Sequence, residues 1–121
     1  IEFDFCVCVR NYAHMTRDES VQQTLNQIDN DFVKALAEPA RIEILKHLIV
    51  SGASDVKDLS EKMPQDRSVI SRHLAMMEKA GILKVKKEGR HMIYSVDGEV
   101  ALKKSEQIVE TIRSCLSFGC C

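Results

Sequence analysis

One segment, residues 64–96, constrains the fold more than any other part of the chain, and it reads PQDRSVISRHLAMMEKAGILKVKKEGRHMIYSV. Its first half has the periodicity of an amphipathic helix and stops at a glycine. Asp66 precedes the apolar pattern, so its carboxylate is predicted to cap the helix N-terminus. The sequence therefore predicts a helix from residue 66 to about residue 80, which we call the reader helix. Its inward-facing residues are predicted to be Ile70, Leu74 and Met77.

Two short runs with strand character follow the reader helix. The first covers residues 82–86, the second covers residues 91–96, and Lys87-Glu88-Gly89-Arg90 lies between them. Gly89 can adopt the positive φ of a tight turn without strain. The segment therefore predicts a β-hairpin directly after a helix, and we call this hairpin the wing.

Helical periodicity predicts four more helices in the rest of the chain. They cover residues 18–37, 39–51, 55–63 and 98–116, and the first has a bend or break at Asn30-Asp31. The fold class is therefore mainly α with a β-hairpin wing, a winged helix-turn-helix. The residues predicted to form inward stripes are Ile42, Leu45, Leu48 and Ile49, and then Val56, Leu59 and Met63. The apolar stripes of the first and last helices instead favour a partner surface, as in a dimer, with core packing within one chain as the alternative. Their residues are Val21, Leu25, Ile28 and Phe32, and Leu102, Val109, Ile112 and Leu116.

Positive charge is concentrated on the reader helix and the wing. Residues 65–91 contain seven Lys and Arg against three Asp and Glu, although the whole chain has a net charge of −1. A basic patch on an otherwise acidic body is typical of directed phosphate contact, and the second helix of this motif reads DNA bases. An ordinary solvated helix face is the alternative interpretation. The residues predicted to contact DNA are Arg67, Ser68, Ser71, Arg72, His73, Lys86, Lys87, Arg90 and His91. For His73, packing at the edge of the helix is the alternative.

The composition gives little support to other classes of function. The chain has 121 residues, which suits one domain, and no apolar run approaches the roughly 20 residues that span a bilayer. No secretory signal pattern is present, so a cytoplasmic protein is predicted. None of the four His lies in a recognisable catalytic setting, and no phosphate-binding Gly-rich loop occurs. We therefore expect neither an enzyme nor a small organic substrate.

Several short motifs lie in order along the chain: Ala35-Leu36-Ala37-Glu38-Pro39-Ala40-Arg41, Ile42-Glu43-Ile44-Leu45, Ser71-Arg72-His73-Leu74, Ala80-Gly81-Ile82-Leu83, Gly89-Arg90 and Tyr94-Ser95-Val96. Together they resemble the ArsR/SmtB family of bacterial repressors. The resemblance implies a homodimer built from the first and last helices. It also implies binding to a near-palindromic DNA operator without any cofactor, and release when an inducer binds.

The chain is interpreted as three parts. Residues 1–17 form an N-terminal arm that is either flexible or not native, because His14-Met15 matches the junction that cloning leaves before a native start. Residues 18–116 form a winged-helix domain that combines DNA binding with dimerisation. Residues 117–121 form a tail that contains cysteines.

Two metal sites of the family lack their ligands in this sequence. The helix before the reader helix has Asp55-Val56-Lys57 where the thiolate site needs Cys-x-Cys. The last helix has no His for the zinc site. Ligands for an inducer are therefore sought among the five cysteines, which all lie near the chain ends.

Thiolates select soft ions, and As(III) and Sb(III) prefer three of them. We expect a soft metal ion, with As(III) or Sb(III) as the leading inducer, to bind Cys115, Cys120 and Cys121. Cys6 and Cys8 could instead join Cys115. Thiol-based sensing of oxidants or reactive sulfur is the second interpretation. A winged domain that contacts only proteins is an alternative of another class, and Cys115 as a merely buried thiol is the simplest one.

Overall fold

The computed structural model of the chain describes residues 16–117. These residues form two compact units, one made of residues 30–101 and the other of residues 16–29 and 102–117. No helix within the described range is long and apolar enough to cross a membrane. The elements are α1 (Arg17–Leu25), α2 (Asn30–Leu36), α3 (Pro39–Ser51), α4 (Val56–Lys62), α5 (Arg67–Lys79), β1 (Leu83–Glu88), β2 (His91–Val96) and α6 (Gly98–Ser117).

The helix predicted over residues 18–37 is interrupted, as its polar pair suggested. Helix α1 begins at a capping box, in which the Thr16 hydroxyl accepts the backbone N–H of Glu19 and the Glu19 carboxylate accepts that of Thr16. It ends at Leu25, and α2 begins at Asn30. The break therefore falls just before the predicted Asn30-Asp31 position.

Most core residues of the 30–101 unit lie where helical spacing places them. Ile70, Leu74 and Met77 of α5, the reader helix, have no exposed surface, as predicted. The predicted stripe of α3 is partly wrong, because Ile42 is exposed and Ile49 is 70% exposed. Other buried apolar residues of this unit are Phe32, Ala35, Ile44, Leu48, Leu59, Met63, Ala80, Ile82 and Leu83.

Helix α3 has two apolar stripes, and either of them could face the core. Its sequence is apolar on most sides, so periodicity alone does not fix which stripe faces inward. Packing of α3 against α2, α5 and β2 selects Ile44 and Leu48, which are spaced i and i+4. Tertiary packing therefore decides the rotation of this helix.

The wing is a two-stranded antiparallel hairpin that is anchored through β2. Its register runs from Leu83 opposite Val96 to Glu88 opposite His91, so β1 is longer than predicted and the turn is shorter. Gly89 has a φ of 61°, as a tight turn requires. Midway along β2, backbone N–H and carbonyl groups of Ser54 and Tyr94 exchange hydrogen bonds of 3.0 and 2.9 Å. This bridge ties β2 to the segment that leads into α4.

The other unit, formed by α1 and α6, buries small hydroxyl side chains. Thr24 donates to the carbonyl of Ser20 and Thr111 donates to that of Gln107, each at 2.8 Å. The four hydroxyl residues Ser20, Thr24, Thr111 and Ser117 are all buried. In contrast, the apolar stripe of the last helix is exposed, at 60, 51, 54 and 61% for Leu102, Val109, Ile112 and Leu116. This exposure contradicts core packing of the stripe within one chain, and a partner surface stays the prediction.

Candidate nucleic-acid interface

The reader helix presents the predicted polar residues to solvent. Its inner face is anchored by the fully buried Ile70 and Leu74, which fixes its rotation. Positions 68, 71 and 72 then share the opposite face at i, i+3 and i+4 spacing. The exposed residues on the first turns of the helix are Arg67, Ser68, Ser71 and Arg72.

The N-terminus of the reader helix has no side-chain cap. Asp66 occupies the N-cap position, but its carboxylate accepts no capping hydrogen bond, contrary to the sequence prediction. The first N–H groups of a helix have no acceptor within the helix, and the helix dipole makes this end favourable for anions. The end of the reader helix that carries Arg67 is therefore suited to a phosphate group.

His73 faces the interior of the domain more than the other predicted contact residues do. Its Nδ1 lies 3.3 Å from Nη1 of Arg41, which belongs to the first turn of α3. Partial burial lowers the pKa of His73, the positive charges of Arg41 and Arg72 lower it further, and Glu38 opposes them. The lowered pKa favours the neutral ring, which disfavours an electrostatic contact with phosphate.

The wing carries the remaining predicted contact residues on its exposed tip. The side chain of Lys86 forms a solvent-exposed ion pair with Glu88 at 3.6 Å, a kind of pair that contributes little to stability. Nδ1 of His91 lies 3.1 Å from Oδ2 of Asp55, at the start of α4. The predicted wing residues that the structure leaves exposed are Lys86, Lys87, Arg90 and His91.

The predicted metal site falls largely outside the described residues. Cys115 is half-buried near the end of α6, with a free thiol. Cys6, Cys8, Cys120 and Cys121 lie outside residues 16–117. Within that range no group of three or more His, Cys, Asp or Glu side chains is arranged to hold a metal ion. A complete thiolate site would therefore need at least two ligands in addition to Cys115.

Sequence reasoning missed the contacts that hold the reader helix and the wing in place. The sequence places Arg41 in a short motif, and Asp55 at the start of a predicted helix and in an absent metal site, without indicating a contact for either. The Asp55 side chain caps α4 by accepting the backbone N–H of Asp58 at 2.8 Å. The pattern Asp-x-x-Asp is a recognisable capping signal, but nothing local indicates its pairing with His91.

The chain is similar in sequence to bacterial regulators. The family model described as bacterial regulatory protein, arsR family, matches residues 38–85, which lie inside the 30–101 unit. A Bacillus subtilis protein, the arsenical resistance operon repressor, is 30% identical over 105 residues. That alignment covers 86% of this chain and 99% of the Bacillus protein.

An uncharacterized HTH-type transcriptional regulator of Mycobacterium tuberculosis is 34% identical over 74 residues, or 61% of this chain, and the chain spans 65% of that relative's length. The crystal structure of the same regulator is similar with a TM-score of 0.54 and 31% identity, covering 74% of this chain and 93% of that one. The crystal structure of a possible transcriptional regulator for arsenical resistance has a TM-score of 0.59 and 30% identity. The match covers 69% of this chain and 85% of that one. The chain therefore belongs to the arsR family of bacterial regulatory proteins, which are transcriptional regulators rather than enzymes.

Proposed function

We propose that this chain is a dimeric, cytoplasmic repressor that binds a DNA operator and leaves it when a thiophilic metal or metalloid binds. One observation carries the DNA-binding part of the proposal. The exposed first turns of the reader helix and the exposed basic tip of the wing belong to the same 30–101 unit. A helix and an adjoining basic hairpin are the elements that a winged domain lays on a DNA duplex.

The two elements suit different parts of the duplex. Arg67 and Arg72 have the guanidinium fork that binds guanine through two hydrogen bonds in the major groove. The uncapped N-terminus of the reader helix and the wing cations Lys86 and Lys87 suit phosphates, which position a protein without reading sequence. Base contacts are therefore assigned to the helix and backbone contacts mainly to the wing.

The exposed stripe of α6 supports dimerisation. Leu102, Val109 and Ile112 are each more than half exposed, whereas Thr111 of the same helix is buried. This helix buries hydroxyl groups and exposes a row of large apolar residues. Covering that row with a further apolar surface is favourable. A second copy of the chain offers the same row, and a symmetric pair would bury both. Two copies would also present two reader helices to a near-palindromic operator.

The inducer proposal rests on thiolate chemistry. Cys115 lies on α6, the helix that carries the proposed dimer surface, so a ligand bound there could alter the dimer. The Bacillus relative is named for arsenical resistance. We therefore propose As(III) or Sb(III), held by Cys115, Cys120 and Cys121, as the inducer, with oxidation of the same thiols as the alternative signal.

Fluorescence anisotropy tests the DNA-binding proposal. The probe is a fluorescein-labelled duplex of about 30 base pairs, selected with this chain from a randomised pool. Because phosphate contacts release counterions, the affinity should fall by at least about a hundredfold between 50 and 200 mM KCl. If selection recovers no preferred duplex, or if affinity is insensitive to salt, the winged domain is better explained as a protein-contact module.

A further inference from the structure

Arg41 joins three parts of the 30–101 unit through its guanidinium group. Its Nε donates to the carbonyl oxygen of Ala35, and its Nη2 donates to that of Lys34, each at 2.8 Å. These carbonyls belong to the last turn of α2, where a cationic side chain is favourable. The remaining nitrogen, Nη1, lies 3.3 Å from Nδ1 of His73 on the reader helix.

The contact with Arg41 determines which nitrogen of His73 carries the proton. A guanidinium has only donors, so Nδ1 of His73 must accept the hydrogen bond. The ring is then neutral, with its proton on Nε2. Protonation would place an N–H on Nδ1, directed at a group that is itself positively charged. The contact is therefore compatible only with an unprotonated His73.

We propose that Arg41 and neutral His73 form a clamp that positions the reader helix for DNA binding, so that protonation of His73 weakens the complex with DNA. This inference rests on the proposed DNA-binding function. The clamp acts one residue away from Arg72, an exposed candidate for base contact. A change in the position of His73 therefore also moves Arg72. His73 is thus assigned as a positioning residue rather than as a phosphate contact.

The charged groups near His73 favour the neutral ring. Burial lowers the pKa of His73, Arg41 of α3 and Arg72 of the reader helix lower it further, and Glu38, just before α3, raises it. The net direction is downward from the usual value of about 6.5. For such a histidine, the stabilising contact is fully present above pH 6.5. It is lost as the pH falls below that value and through the lowered pKa of the folded protein.

The two roles of His73 predict opposite effects of acid. A histidine that contacts phosphate as a cation binds DNA more tightly as the pH falls, because phosphate favours the protonated ring. If His73 must instead accept a hydrogen bond from Arg41, the protein binds DNA less tightly as the pH falls. The sign of the pH dependence that His73 contributes therefore separates positioning from contact.

The experiment compares the full chain with the variant His73→Asn. The Oδ1 atom of Asn can take the place of Nδ1 and accepts a hydrogen bond at every pH, and Asn and His have similar helix propensities. Affinity for the selected duplex is measured at pH 7.5 and pH 5.0 at constant ionic strength, with circular dichroism to confirm folding. His47→Asn is the matched control, because it removes a histidine of α3 that does not contact Arg41.

Between pH 7.5 and pH 5.0, the affinity of the parent for the duplex should fall about tenfold more than the affinity of His73→Asn does. His47→Asn should follow the parent. Arg41→Lys keeps the charge but lacks the planar fork, so it should weaken binding by about fivefold even at pH 7.5. Identical pH profiles for the parent and His73→Asn would overturn the clamp, as would a parent that gains affinity in acid relative to this variant.

A second measurement tests the clamp without DNA. The ring ¹⁵N chemical shifts of His73 at pH 7.5 should identify Nδ1 as the unprotonated acceptor and Nε2 as the protonated nitrogen. A proton on Nδ1 would overturn the clamp while leaving the DNA-binding proposal intact. Conversely, the expected tautomer together with no affinity for any duplex would contradict DNA binding, and the positioning role would fail with it.

Discussion

Nδ1 of His91 lies 3.1 Å from a carboxylate oxygen of Asp55, so the first residue of β2 is joined to the N-cap of α4. The adjacent residue Ser54 exchanges two backbone hydrogen bonds with Tyr94, also on β2. The wing is therefore held by main-chain pairing midway along β2 and by one polar side-chain contact near its tip. Its tip, with Lys87 and Arg90, remains exposed to solvent.

The variants Asp55→Asn and Asp55→Ala separate capping from charge. The backbone N–H of Asp58 lowers the pKa of Asp55, burial raises it, and His91 lowers it, with a net downward direction. Such a carboxylate stabilises the fold above its usual pKa of about 3.9, and this contribution is lost as the pH falls through the lowered pKa. Asn caps a helix as well as Asp does. Asp55→Asn should therefore keep nearly the parental Tm at pH 7 and show a smaller fall in Tm between pH 5 and pH 2.5.

Asp55→Ala is the comparison that removes the cap itself. Its Tm at pH 7 should fall by about 4 to 8 °C, as is typical for loss of an N-cap in a domain of this size. Thermal unfolding followed by circular dichroism measures both variants. An Asn variant as unstable as the Ala variant at pH 7 would contradict the separation of the two roles.

Arg72→Ala tests the assignment of the reader helix. Loss of a two-bond contact to guanine should weaken binding to the selected duplex by about tenfold, or about 1.4 kcal/mol, and relax the preference for one base. Lys79→Ala is the matched control, because it removes an exposed cation from the other end of the same helix. Anisotropy titrations of both variants should show the larger loss for Arg72→Ala. Equal losses would mean that only overall charge matters.

Local sequence signals predicted the helices and strands of the 30–101 unit. The reader helix has one apolar face and lies between Asp66 and a glycine, so its rotation and exposed residues followed from spacing alone. Helix α3 has apolar residues on most sides, so its inward face depended on its neighbours. The capping of α4 by Asp55 was visible as a pattern, but its contact with His91 of the wing was not.

The contacts that position the site could not be predicted, because they join distant parts of the chain. Arg41 and His73 are 32 residues apart in sequence. Their contact depends on how α3 and the reader helix pack, which periodicity does not specify. The sequence left His73 either as a phosphate contact or as a residue that packs at the edge of the reader helix, and its partial burial in the folded domain favours packing.

Val109→Glu tests the proposed dimer surface. A charge at the centre of the exposed stripe should prevent burial of that stripe against a second copy, because an unpaired buried carboxylate is costly. Sedimentation equilibrium should show a dimer for the parent and a monomer for the variant at micromolar concentration. Lys103→Glu is the matched control, since it places the same residue on α6 at an exposed position outside the stripe. A dimer that survives Val109→Glu would exclude this stripe as the interface.

Paired serine substitutions test which cysteines bind the inducer. Native mass spectrometry with arsenite should show one As(III) per chain in the parent, and Cys115→Ser and the double variant Cys120→Ser/Cys121→Ser should each lose it, because two thiolates do not complete a three-thiolate site. Cys6→Ser/Cys8→Ser should retain As(III) and serves as the control. Loss of As(III) in Cys6→Ser/Cys8→Ser, with retention in Cys120→Ser/Cys121→Ser, would move the site to Cys6, Cys8 and Cys115.

Release from DNA is the functional consequence of the proposed As(III) site. Arsenite should lower the affinity of the parent for the selected duplex by about 5- to 150-fold, the usual range for coupling between two sites. Cys115→Ser should bind the duplex as tightly as the parent without arsenite, since Cys115 lies on α6 and outside the 30–101 unit. The affinity of this variant should not change when arsenite is added.

If arsenite releases both proteins equally, Cys115 is not a ligand. If neither responds to arsenite but an oxidant releases the parent alone, Cys115 belongs to a redox sensor.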